Sequence, residues 1–213
     1  MITSRSSLAI AVLALLPLAS GCGIASSAPD APSTASSTSS STSIPVGPGP
    51  QQTYTVQPQP AAGSCHYKYT ADQQPLPDPG CTPGALSPAV TQATLSATIC
   101  GSGYTSGIRP PVSITDPEKR NNAASYSYTD SLHDAEYDHL VSLELGGDPN
   151  DSRNLWVEPP SPGHQPGAGP NNPKDKAEND LHAAVCDGKA QLAAAQNAIA
   201  TDWTTAEHVL GLN

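Results

Sequence analysis

Glu136, Asp138, His139 and Asn154 are the side chains whose types and spacing can do chemistry together. An imidazole can take a proton from water near neutrality, and carboxylates can hold a hard cation. Asp138 stands directly before His139, and Glu136 shares a face with Asp138 if the chain is extended. Neighbours on a regular strand point to opposite faces. Asp138 and His139 can therefore share a site only at a strand end or a bulge. The bland reading of the same residues is a buried, hydrogen-bonded pair that braces a turn.

A hairpin must carry Asn154 back to them. Val141, Leu143 and Leu145 alternate with Ser142 and Glu144, which predicts a half-buried strand. Gly146-Gly147-Asp148-Pro149-Asn150-Asp151 is dense in turn formers, and Asn154 to Val157 predicts the returning strand. A Pro/Gly loop with a lone His164 follows. Asn172-Pro173-Lys174-Asp175 then opens a helix: Asn caps, Pro fits the first position and Asp complements the dipole. That helix runs to about Cys186. A second, over about 190–203, carries Leu192, Ala195, Ile199 and Trp203 as a core stripe. Upstream, Ala89 to Ile99 reads as a helix and Asp116 to Asn122 as a short helical turn, whose Lys119-Arg120 is the best local basic patch.

Asp138-His139, Gly146-Gly147 and Asn154-Leu155-Trp156 together resemble the HNH, or ββα-metal, nuclease motif over about 137–178. The wider stretch 80–203 is similar to small bacterial HNH-like proteins. That likeness is carried by Cys81-Thr82-Pro83-Gly84-Ala85, Ile99-Cys100, Gly103-Tyr104-Thr105, Arg109-Pro110, Lys174-Asp175 and Val185-Cys186. The resemblance implies an α+β domain with a ββα-metal core and metal-dependent hydrolysis of a phosphodiester, DNA or RNA. It implies that His139 is the general base, Asp138 a metal ligand and Asn154 the residue that orients His139. The usual histidine on the following helix is absent. Asn172 and then Asp175 are the candidates for the remaining ligand, although both also make sense as helix-capping residues. Glu136 is a candidate second ligand or water partner. Such oxygen ligands suit Mg²⁺ or Mn²⁺ better than zinc. Lys174 and Arg109 are the candidate phosphate contacts.

The rest of the sequence places this domain outside the cytoplasm. Residues 1–22 read as an export signal: Arg5, an apolar run from Leu8 to Leu18, then Ala19-Ser20-Gly21-Cys22. Small residues before Cys22 resemble a lipobox, so Cys22 is expected to carry lipid and hold the protein on the outer face of a bacterial membrane. Without lipid the protein would be secreted. Residues 23–63, rich in Ser, Thr and Pro, read as a disordered tether, and 64–213 as the folded domain. Cys65, Cys81, Cys100 and Cys186 are an even set in an exported chain, with Cys65–Cys81 and Cys100–Cys186 the favoured pairing. No C-x-x-C spacing supports zinc.

Charge pulls the other way. The formal net charge is −10, and no basic run exists anywhere in the sequence. Nucleic-acid binders normally present a basic face, so nucleic acid is disfavoured as a partner unless a metal supplies the charge. The protein is expected to be a monomer, and the rival reading is an inactive envelope lipoprotein that uses the HNH-like scaffold as a binding module.

Overall fold

The computed structural model describes residues 43–212. The export signal, Cys22 and residues 23–42 of the expected tether lie outside them. The described domain is α+β: two small antiparallel hairpins and five helices, with both expected disulfides formed. Among the described residues no helix is long and apolar enough to cross a membrane.

The first hairpin pairs β1 (Lys68–Tyr69) with β2 (Pro75–Leu76). α1 (Tyr104–Ile108) and α2 (Val112–Ser125) follow. The second hairpin pairs β3 (Glu136–His139) with β4 (Leu155–Glu158), setting Asp138 opposite Trp156 and His139 opposite Leu155. Then come α3 (Lys174–Cys186), α4 (Leu192–Thr201) and α5 (Ala206–Val209).

The main core lies where α3 and α4 pack on the chain after β3. Leu181, Val185, Leu192, Ala195, Ile199 and Trp203 meet Val141 and Leu145 there, all nearly or fully buried. The expected stripe on α4 is thus core. Trp156 is fully buried in a second cluster with Leu140, Tyr126 and Cys65, where Tyr67 stacks on Tyr126 at 4.5 Å.

Several expectations need correcting. Residues 43–63 are not a free tether: Gly47 N–H donates to the Leu86 carbonyl at 2.9 Å, Leu86 N–H to the Pro45 carbonyl at 2.8 Å, and Gln57 N–H to Glu118 at 2.7 Å. Ser125 Oγ donates to the Pro60 carbonyl at 2.6 Å and Gly63 N–H to Ala124 at 2.9 Å. Composition undervalued this segment because its partners are distant in sequence, on α2 and around Leu86. Ala89 to Ile99 holds only a 3-10 turn at Leu95–Ala97. Thr94 and Thr98 hydroxyls take the Ala89 and Thr94 carbonyls, competing with a helical ladder. α2 starts earlier than expected, at Val112, and Pro117 lies inside it. The strand expected through Val141 to Leu145 ends at His139, and Leu143–Leu145 is a 3-10 turn.

Candidate functional site

Asn154 explains why the strand stops. Its side-chain oxygen accepts from Val141 N–H at 3.0 Å, and its amide nitrogen donates to the Val141 and Asp148 carbonyls, each at 3.0 Å. Val141 is thereby satisfied by a side chain instead of a neighbouring strand. The Gly-Gly pair makes room for this staple. A Cβ on Gly147 would lie 1.7 Å from the Val141 carbonyl oxygen and 2.7 Å from Asn154 Nδ2, and Gly146 has φ +77° with Val90 against it.

His139, the last residue of β3, meets the condition that a strand end imposes. Its ring is buried, and Nε2 lies 3.0 Å from the Pro149 carbonyl oxygen. A carbonyl only accepts, so Nε2 carries the proton and Nδ1 the lone pair. Burial lowers the ring pKa to about 4, helped by Arg109 and Lys174 and opposed by Pro149 and Asp138. The imidazole is neutral near pH 7. Asn154 does not touch it. Instead Asn154 holds the loop that delivers Pro149, so its orienting role is indirect.

Beside His139 opens a cavity of about 220 Å³. Its wall carries His139, Arg109, Ser142 and Glu136, with Asp138, Glu144, Asp175 and Glu178 adding carboxylates. Five carboxyl groups share this wall with one arginine. Burial and mutual repulsion raise Glu136 and Asp175 above the usual carboxylate range. Ser142 Oγ and Glu144 Oε2 are buried with no hydrogen-bond partner among the described residues.

Lys174 is not on this wall. Its side chain is 0% exposed, and Nζ donates to Asp138 Oδ2 at 2.8 Å, to the His139 carbonyl at 2.8 Å and to Glu178. Burial opposes the charge, but Asp138, Glu178 and Glu158 outweigh it and hold the ammonium above its usual pKa. Lys174 therefore cannot reach a substrate phosphate as expected. It locks α3 to the end of β3. Glu178, raised to about 8 by burial, shares that ammonium, and buried Glu158 is raised well above its usual value. Lys119, expected in a basic patch, spends its ammonium on the Leu132 and Ala135 carbonyls at 2.7 and 2.8 Å.

The expected ligand set is only partly assembled. Asp138 Oδ2 is taken by Lys174 and by Trp156 Nε1 at 3.1 Å. Asn172 Oδ1 accepts Lys174 N–H at 3.0 Å, while its nitrogen faces Glu136 and Glu158 at 3.0 and 3.2 Å. That is a helix cap and a carboxylate bridge, and the amide is committed. Glu136 and Asp175 do stand on the cavity wall. Among the described residues, the only trio of His, Cys, Asp or Glu with ligand atoms mutually within 4.8 Å is Cys100, His182 and Cys186, and its two sulfurs are the disulfide. The wall carboxylates therefore form no closed cage of ligand atoms.

Sequence reasoning missed Ser142, Glu144 and Glu178. Glu178 had a signal, because it stands four residues after Lys174 on a predicted helix. Glu144 had none, since it read as the solvent face of a strand. No family model matches the chain, and no curated protein or solved structure matches it either.

Proposed function

We propose that the domain hydrolyses phosphodiester bonds at the bacterial cell envelope, with His139 as general base and Arg109 holding the phosphate. The observation that carries this reading is the His139 ring, neutral and fixed in one tautomer on the wall of an open cavity. A neutral imidazole so held can take a proton from water as that water attacks phosphorus. A pKa near 4 makes it a weak base in the free protein. Arg109 offers a planar fork to two phosphate oxygens.

The acidic lining would repel a phosphodiester unless a cation intervenes. A divalent ion, Mg²⁺ or Mn²⁺, would be met by Glu136, Glu144 and Asp175 through its own water shell, since their oxygens do not converge as a direct trio, and when bound it would stabilise charge on the phosphate and leaving oxygen. Asp138 and Lys174 stay out of that ligand set and fix the end of β3. The resemblance to ββα-metal nucleases and the order hairpin then helix support the same reading. Lipid on Cys22, with residues 1–21 removed, would keep the activity on the outer face of the membrane, where both disulfides persist.

The deciding experiment is nicking of plasmid DNA, and cleavage of RNA, by the purified protein with Mg²⁺, Mn²⁺ or EDTA, beside His139→Ala. Metal-dependent cleavage lost in the variant supports the reading. No cleavage with any metal by a folded protein leaves the second reading, a binding module. What favours that rival is the ammonium of Lys174 on Asp138, the residue expected to ligate metal.

A further inference from the structure

We infer that residues 47–57, a stretch that composition assigns to the linker, position the site by fixing the Pro149 carbonyl against His139 and the backbone beside Arg109. This rests on the catalytic reading of the cavity.

Pro149 is gripped on both sides. Before it, Asp148 is fully buried, and its Oδ2 accepts Gly49 N–H at 2.6 Å. Its Oδ1 accepts Asn150 and Asp151 N–H at 3.0 and 2.9 Å. A buried carboxylate with three N–H donors is firmly placed. After Pro149, Asn150 Nδ2 donates to the Thr55 carbonyl at 2.9 Å. One anchor on each side of Pro149 therefore comes from the strap. Proline has no N–H with which to anchor itself, so its carbonyl sits where these neighbours put it.

The strap reaches Asp148 only because position 47 is glycine. A Cβ there would stand 2.3 Å from Asp148 Oδ2 and must push the two apart. At the other end, Tyr54 donates its hydroxyl to the Ile108 carbonyl at 2.6 Å, one residue before Arg109. A tether that only spaced the domain from a membrane would need none of these bonds. The hydrogen bond from Nε2 to Pro149 selects the ring tautomer, so a displaced strap releases that choice.

The test uses the full chain carrying Gly47→Ala, Asn150→Ala or Tyr54→Phe. The first readout is the ¹⁵N signature of the His139 ring at neutral pH. The wild type shows the Nε2–H tautomer with a slowly exchanging ring proton. In Gly47→Ala and Asn150→Ala the two tautomers mix and ring-proton exchange quickens about tenfold or more. In cleavage assays these two variants lower kcat by about ten- to a hundredfold with KM little changed, the scale of a small misplacement of a reacting group. Tyr54→Phe instead raises KM, through Arg109. Asn150→Ala adds no atoms, so it carries the test if Gly47→Ala does not fold. Folded variants whose His139 ring signals match the wild type overturn the inference. The ring signature decides even if the wild type cleaves nothing, which separates failure of this inference from failure of the proposed activity.

Discussion

Lys174 Nζ and Asp138 Oδ2 lie 2.8 Å apart at the junction of β3 and α3, with side-chain exposures of 0% and 6%. A metal ion in a hairpin-plus-helix unit would tie strand to helix at such a junction. Here an ammonium does so, because Lys174 also binds the His139 carbonyl and Glu178. The end of β3 is thereby fixed independently of any ion in the cavity.

Removing Lys174 leaves Asp138 and Glu178 buried without their cation. Breaking a buried pair from one side costs about 3–5 kcal/mol. Lys174→Ala is expected to lose that much in urea denaturation, and Lys174→Met combined with Asp138→Asn to recover most of it. An equal loss in the double variant would show that the ion pair is not the source.

Because the ammonium, not a divalent ion, holds the strand to the helix, stripping metal should spare the fold. The expected result is an unchanged Tm in EDTA, alongside lost cleavage under the proposed function. A Tm that falls on chelation and returns with Mg²⁺ or Mn²⁺ would place a structural ion in the domain.

His139 makes stability depend on pH. Its folded pKa of about 4 lies below its ordinary value of 6.5. The unfolded chain then binds a proton before the folded one does, so this contribution is complete above pH 6.5 and is lost as pH falls towards 4. Two and a half units correspond to about 3 kcal/mol. Glu158 and Glu178, whose pKa values are raised by burial, act in the opposite sense: each favours folding less as pH rises above 4.5, for Glu178 up to about 8. Comparing wild type with His139→Asn at pH 7 and pH 4.5 isolates the histidine. The gap between them should narrow at the lower pH, and a constant gap would refute the buried neutral ring.

What the sequence disclosed follows from which interactions are local. The return of Asn154, the Gly-Gly turn, α3 and α4 are written in short-range patterns, and of the three pairings that four cysteines allow the favoured one forms. Asp138 and His139 did come to one cavity, at a strand end, as their adjacency requires. Lys174 was misread because a lysine at a helix start is ordinarily solvated, and its three partners come from two elements. The strap was misread because Gly49 and Asp148 are 99 residues apart, beyond any periodicity or turn signal.

The Gly147–Asn154 contact gives the sharpest structural test of the hairpin. Gly147→Ala puts a Cβ into the Val141 carbonyl and against Asn154 Nδ2, where neither backbone nor amide can yield without freeing Val141 and Asp148. Asn154→Ala removes the staple and leaves Val141 N–H without its partner, at about 1–3 kcal/mol for each buried group left unsatisfied. Both variants disturb the same staple, so their losses should add less than fully, although the clash of the Gly147 Cβ with the Val141 carbonyl remains when Asn154 is cut back. Urea denaturation of the three proteins checks this. Fully additive losses would mean that the clash with the Val141 carbonyl, and not the shared staple, sets the cost of Gly147→Ala.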